Sequence, residues 1–378
     1  MKILHTNFHR GWGGQPARIL MLSQGLSSRG HEVVVAAPRG SVLAERARAA
    51  GLQTFEEASF RKPRDLASAF ADVRRLATHL DAARYDLVDA HGSQDLWTTV
   101  LARRRLGAHA PPLVFTRHNT KHVATHLFNR WLYRRLDHLI VVSASVLERY
   151  RPFFERGDLR RDRVSIVHSA YRPDRFHPGI DGSAVRASLG LGAGTPLVGA
   201  VGRLVPDKGQ DDLLRAAAEV LRRSPQTRFA LVGAGTAEPA LRALAAELGV
   251  ENACSFLGFR DDIPTITAAL TIAVLASIDC DASPAVLKEA LACGVPAVAT
   301  DIGGSSEIVR DGQTGLIVPP RRPDLLARAL LALLDDPARA RLMGRAGSAD
   351  VAARFTPDLL AEQTLAAYRA VLARREGA

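Results

Sequence analysis

The chain has 378 residues, enough for two domains with full hydrophobic cores and no need of disulfides. With 24% charged and 47% hydrophobic residues, and no apolar run near the ~18 residues of a bilayer crossing, long disorder and a membrane-spanning protein are excluded. Fifty Lys and Arg against 39 Asp and Glu give a net charge of +11 and favour an anionic partner, while Cys254, Cys280 and Cys293 have neither CxxC spacing nor nearby His, which argues against a zinc module.

In chain order, short β-branched or apolar runs alternate with amphipathic stretches. Met1 to Thr6 runs directly into polar residues and does not read as a signal peptide. Strands are predicted at Lys2–Thr6, Val33–Ala36, Leu87–Ala90, Leu113–Thr116, Leu139–Val142 and Val164–Val167, with helices such as Ala17–Ser28 and Leu66–Leu80 between them. The Pro-rich segment Tyr171–Gly179 reads as a connector. Strands then recur at Leu197–Val201, Phe229–Val232, Thr271–Leu275, Ala297–Thr300 and Leu316–Val318. Helices recur at Asp211–Arg223, Pro239–Leu248, Pro284–Cys293 and Pro323–Leu334. Alternating βα units build parallel sheets covered on both faces. The expectation is an α/β chain of two doubly wound, Rossmann-like domains, residues 1–175 and 176–356. A last helix from Pro357 to about Arg374 packs back on the first domain.

Charge is unevenly divided. Residues 1–190 carry 30 basic and 17 acidic side chains, and the remainder carries 20 and 22. The surplus therefore lies in the first half and suits phosphate groups or an acidic lipid surface. The stretch Lys121–Leu136, with Arg130, Arg134 and Arg135 around Val123, Leu127, Phe128 and Trp131, has the pattern of an interfacial basic helix or of ordinary core packing.

Several segments could carry chemistry. In Gly199–Gly209 a strand ends in Gly202, followed by Arg203, a turn and Lys208 before a helix. Two cations and a helix N-terminus at the carboxyl end of a parallel strand suit a diphosphate. In Asp281–Pro296, Ser283 is a good N-cap and Pro284 suits the first helical position. The backbone N–H groups of Ala285, Val286 and Leu287 would then face an anion, and of Asp281 and Glu289 one can face a sugar and the other a ribose. Gly233 and Gly235 after the next strand, like Gly13 and Gly14 in the first βα loop, allow close backbone approach to a ligand. His118 closes a first-domain strand. The four-residue spacing of His118, His122 and His126 would place metal ligands on a helical face, and Asp279-Cys280-Asp281 is a DxD of the kind that holds a metal beside a sugar diphosphate. No Glu-containing zincin pattern accompanies the histidines, and at the DxD Arg203 and Lys208 could neutralise the phosphates instead, so no metal is expected.

Taken together, Gly202-Arg203 with Lys208-Gly209, Leu231–Gly235, Leu257-Gly258-Phe259, the acid-x7-Glu ending at Glu289, and Ala299–Gly304 with Glu307, Asp311-Gly312 and Thr314-Gly315 resemble the retaining glycosyltransferases of the GT-B fold, in the large family four group. The resemblance covers nearly the whole chain. It implies two domains facing each other across a cleft, with a nucleotide-diphosphate sugar of UDP, GDP or ADP type as donor substrate and no tightly bound cofactor. By the resemblance, Arg203 and Lys208 bind the donor diphosphate and Asp281 approaches the sugar. Glu289 holds the ribose hydroxyls, His118 stands near the transferred sugar, and Gly14 lies in the loop near the reacting centre. Two departures stand out: Asp281 where the family usually has Glu, and Ser169-Ala170 where it often has Asn-Gly.

The expected reaction is glycosyl transfer with retention. No enzymic nucleophile is evident, so departure and attack on one face fit better than a covalent intermediate. The basic first half suggests an anionic glycan or glycolipid acceptor, such as lipopolysaccharide core. The expected location is cytoplasmic, with peripheral contact at the inner face of the cytoplasmic membrane. Competing readings are a sugar-nucleotide epimerase or hydrolase on the same fold, and a non-enzymatic basic binding protein. Nucleic acid is not expected as a partner, because no nucleic-acid module motif accompanies the basic surplus.

Overall fold

The computed structural model describes residues 1–60, 66–279 and 281–377. The chain divides into two compact units, Met1–Ser169 with Pro357–Ala378, and Ala170–Thr356. The division falls ahead of the expected 175/176 boundary. Tyr171 donates its backbone N–H to the Phe355 carbonyl at 3.0 Å, and Tyr171 and Phe176 lie in the core of the second unit.

The first unit holds a seven-stranded sheet in the order β3-β2-β1-β4-β5-β6-β7. Its strands are β1 Lys2–Thr6, β2 Glu32–Ala36, β3 Gln53–Phe55, β4 Leu87–Ala90, β5 Leu113–Arg117, β6 His138–Val141 and β7 Val164–Ile166. The second holds a six-stranded sheet in the order β10-β9-β8-β11-β12-β13. Its strands are β8 Leu197–Val201, β9 Arg228–Val232, β10 Cys254–Gly258, β11 Ile272–Leu275, β12 Ala297–Thr300 and β13 Gly315–Val318. Every pairing between these strands is parallel. Each unit is thus a doubly wound α/β domain. The winding reverses between β1 and β4 in the first sheet and between β8 and β11 in the second. Loops leaving the carboxyl ends of those strand pairs are where such sheets bind ligands.

Alternation along the strands explains the two-sided core. In β8, Leu197 joins one buried cluster with Ala273, Leu275 and Leu287. Val198 joins another with Val274, Leu213 and Leu330 on the opposite face. Gly199 is small because a Cβ there would meet the Leu270 side chain at 2.4 Å.

The helix Pro357–Glu376 packs on the helix Gly14–Ser27 and on β6. It places Tyr368, fully buried, where its hydroxyl donates to Asp89 Oδ2 at 2.6 Å. Burial pushes Asp89 up to about 7, against hydrogen bonds from Tyr368 and Thr116 and the charge of Arg18. Tyr368→Phe removes one donor from a buried carboxylate and is expected to cost about 1–3 kcal/mol in a urea melt. Without that bond the folded-state pKa rises further above its unfolded value. The native state then loses more stability once Asp89 must ionise, so the deficit is expected to be larger at pH 8 than at pH 5.

The Lys121–Leu136 stretch is not one continuous helix. Helix forms only over Leu127–Tyr133, capped by His126 Nδ1, which accepts from the Asn129 N–H at 3.3 Å. Arg130 and Arg134 both turn inward to Asp158, at 2.7 and 2.6 Å, and Arg135 lies over the Trp131 ring at 3.6 Å. Burial raises Asp158, but the two arginine bonds outweigh it and hold its carboxyl below the usual range. Arg130 and Arg134 thus share one buried carboxylate, while Arg134 and Arg135 stay exposed. Among the described residues no helix is long and apolar enough to cross a membrane.

Candidate functional site

The second sheet brings the expected donor residues to its reversal point. After β8, the chain passes Gly202 and the exposed Arg203 into a short turn, Pro206–Lys208. It then enters the helix Gln210–Arg223 through Gly209. Gly209 has φ +61°, and a Cβ there would stand 2.1 Å from the Ala276 carbonyl oxygen. That contact ties the loop after β8 to the loop after β11.

Lys208 and Asp281, one from each loop, form a close pair. The ammonium donates to both carboxylate oxygens, at 2.6 and 2.7 Å, and Ser277 Oγ also donates to Asp281. The two side chains are only 17% and 13% exposed, so the pair is partly withdrawn from solvent. A diphosphate bound at Lys208 would have to share it with Asp281. Asp279 is exposed, and Cys280, the centre of the DxD, lies outside the described residues.

The helix Ala285–Ala292 starts one residue later than expected. Pro284 takes the N-cap position and no side chain caps the helix. Ser283 is diverted from capping because its Oγ accepts from the buried Lys288 Nζ at 2.9 Å. The first N–H groups of this helix, at Ala285, Val286 and Leu287, are left without side-chain caps, which keeps a partial positive charge available for an anion.

Glu289 lines a recess with Gly199, Val201, Thr267, Val286 and Leu287. Burial pushes its carboxyl up to about 7, with the positive charges of Lys288 and Arg175 pulling the other way. If Glu289 accepts from ribose hydroxyls, binding is stronger when it is ionised. Nucleotide affinity is therefore expected to rise between pH 6 and pH 8 in the wild type and to stay flat in Glu289→Gln, at a value roughly tenfold or more weaker at pH 8. Calorimetric titration at both pH values checks this.

Gly233 and Gly235 also pack closely within the protein. A Cβ on Gly233 would stand 1.9 Å from the Gly202 carbonyl oxygen, and one on Gly235 would stand 2.1 Å from that of Leu204. The close approach is to the loop that carries Arg203, so these glycines seat that loop. In the first unit, Gly13 and Gly14 have open space where a Cβ would be. Packing does not call for glycine there.

Two glycines given no role by the sequence reading brace Asp281. Gly303 has φ +62°, and a Cβ on it would meet the Asp281 carbonyl oxygen at 1.8 Å, while the Gly304 N–H donates to the same oxygen at 2.9 Å. Their signal was visible in Ala299–Gly304, but the contact joins residues about twenty apart and is invisible to local pattern.

His118 follows β5, but His118, His122 and His126 do not share a helical face, because residues 118–126 are not helical. His118 belongs instead to a line of imidazoles. His91 Nδ1 lies 3.0 Å from His118 Nε2, and His91 Nε2 lies 2.8 Å from His5 Nδ1. His5, Asp89 and His91 also have the composition of a metal site. Their atoms, however, are engaged with one another and with Thr116 and Tyr368, and the charge of buried Arg18 acts on both His5 and Asp89.

A family model described as Glycosyltransferase Family 4 matches residues 12–180, and one described as Glycosyl transferases group 1 matches residues 183–350. The chain is 34% identical to a D-inositol 3-phosphate glycosyltransferase of Nocardia farcinica, over 84% of this chain and 73% of the relative. It is 39% identical to a GDP-mannose-dependent monoacylated alpha-(1-6)-phosphatidylinositol monomannoside mannosyltransferase of Corynebacterium glutamicum, over 60% of this chain and 61% of that one. A solved glycosyltransferase from Rickettsia africae shares the fold, with a TM-score of 0.85, 18% identity and 98% of each chain covered.

Proposed function

The chain belongs to the group 1 glycosyltransferases of family 4, and from that premise we propose that it moves a sugar, with retention, from a nucleotide-diphosphate sugar to a hydroxyl of a phosphate-bearing polyol or glycolipid. One observation carries the donor side of this reading. Arg203, the Lys208–Asp281 pair and an uncapped helix N-terminus all gather at the reversal point of the second sheet. Charge that builds on a departing diphosphate would meet preorganised cations and N–H dipoles there, which lowers the barrier without solvent reorganisation. Asp281 faces the sugar, Glu289 the ribose, and His118 with Gly14 the reacting centre. Departure and attack on one face, with no covalent sugar–enzyme intermediate, is the mechanism that this set of residues fits best.

The acceptor is read from two features. The basic surplus lies in residues 1–190, and the relatives are named for inositol phosphate and phosphatidylinositol compounds. A phosphorylated inositol therefore replaces the lipopolysaccharide core expected from charge alone. The binding-protein reading lapses with membership of an enzyme family. The epimerase or hydrolase reading differs in an observable way, since it turns over donor without acceptor.

The test is incubation with UDP-, GDP- and ADP-sugars, each with inositol 3-phosphate, with unphosphorylated inositol, or with no acceptor. The expected result is a new glycoside formed with the phosphorylated acceptor, carrying the donor's anomeric configuration by proton NMR. An inverted product, or donor turnover that ignores the acceptor, would overturn the reading.

A further inference from the structure

The line His118–His91–His5 runs inward from the carboxyl ends of β5, β4 and β1, beside the reversal point of the first sheet. His118 is half-buried, His91 is 2% exposed and His5 fully buried. The middle ring is held between the outer two through both of its nitrogens. Its backbone is fixed as well, since the His91 backbone N–H donates to Asp95 Oδ2 at 2.9 Å and the same oxygen accepts from the Gly92 backbone N–H and Thr6 Oγ1. Desolvation is the main force lowering all three imidazoles, helped by the charge of Arg18, so the rings are neutral at ordinary pH.

A neutral imidazole carries one proton. His91 uses both of its nitrogens in the line, so the choice at one ring fixes the choice at all three. Either every ring is protonated on Nε2, and the line ends in a buried His5 Nε2–H; or every ring is protonated on Nδ1, and it ends in a bare His5 Nε2. His5 Nε2 has no hydrogen-bond partner among the described residues. A buried donor with no acceptor is the costlier orphan. The guanidinium of Arg18 settles the choice further, because its positive charge acts on His5 and favours a lone pair over an N–H. Asp89 barely discriminates, since its Oδ2 lies 3.6 Å from His91 Nε2 and 4.0 Å from His5 Nδ1.

We propose that His91 and His5 are positioning residues that hold His118 in its Nδ1–H tautomer, so that His118 presents a fixed hydrogen-bond donor to an oxygen of the substrate rather than a base. His5 Nδ1–H donates to His91 Nε2, His91 Nδ1–H donates to His118 Nε2, and the remaining N–H of His118 is free for substrate. No proton leaves through His5, so the line orients and does not conduct. The inference rests on the reading that His118 stands at the reacting centre.

The test is long-range proton–nitrogen correlation NMR of uniformly 15N-labelled protein at pH 7.5, with His118→Asn used to assign the His118 signals. The expected wild-type pattern is a single Nδ1–H tautomer at His118. His91→Leu should turn it into a mixture and lower kcat roughly tenfold or more, with the donor KM changed less than about twofold. His91→Asn, whose amide can donate from the Nδ1 position, should restore the pattern and most of kcat. An Nε2–H tautomer in the wild type, or an unchanged pattern or kcat in His91→Leu, would overturn the proposal. Should His91→Leu not fold, the wild-type spectrum and His91→Asn decide it. Full activity in His118→Ala alongside the expected wild-type pattern would instead remove His118 from the reacting centre and leave the tautomer assignment standing.

Discussion

Lys208→Ala is expected to lower kcat/KM by roughly 10²- to 10³-fold, the range seen when one preorganised donor to a developing anion is removed. Two effects combine. The departing diphosphate loses a cation, and Asp281, which now accepts from Lys208 at 2.6 and 2.7 Å, becomes an unpaired and largely buried carboxylate beside an incoming polyanion. The second effect is removable. Against Asp281→Asn alone, which controls for the sugar contact, Lys208→Ala/Asp281→Asn should keep a similar donor KM while kcat falls, because repulsion is absent from both and leaving-group stabilisation is missing from only one. Steady-state kinetics of the two variants separate these contributions. Equal loss of both parameters in the double variant would place Lys208 outside the leaving-group site. Arg203, being exposed, should cost less on replacement, roughly tenfold.

Gly303→Ala carries the second large expected effect. At φ +62° an alanine is strained, and its Cβ would need the place of the Asp281 carbonyl oxygen, 1.8 Å away. Both clashing groups are backbone, so the loop bearing Asp281 must move. The expected outcome is a stability loss of about 1–3 kcal/mol and a fall in kcat/KM of roughly 10²-fold, since a displacement near 1 Å at a reacting site has that scale. Gly14→Ala is the control. Nothing lies within 4 Å of its Cβ position, so its melting temperature should not change, and any loss of activity reports contact with substrate.

Much of this was legible in the sequence because the second domain repeats a strong local pattern. Strands such as Ile272–Leu275 and Ala297–Thr300 are continuous apolar runs, as strands buried on both faces must be, and they stood out without help. Two edge strands did not. Gln53–Phe55 is short with an exposed first residue, and Cys254–Gly258 is half-buried throughout, so neither has a clear apolar run or alternation. The expected donor residues could be proposed from sequence because their types and spacing lie on two loop-to-helix junctions, those after β8 and β11, which are neighbours in the sheet. What local pattern could not give was partnership. That Lys208 is held by Asp281, that Gly233 and Gly235 seat the Arg203 loop, and that Ser283 is drawn off by Lys288 are all contacts between separate stretches of chain. His5 and His91 were missed for the same reason: a buried histidine in or just after a strand looks like any core residue until its neighbours are known.

The donor site is tested most directly by calorimetric titration of UDP, GDP and ADP, each in the presence of a chelator, into the wild type and Lys208→Ala. Saturable binding of at least one nucleotide to the wild type, unaffected by chelator and lost or strongly weakened in Lys208→Ala, is the expected result. Binding of equal strength in the variant, or no binding of any of the three to the wild type, would contradict a donor diphosphate held at the junction of β8 and β11.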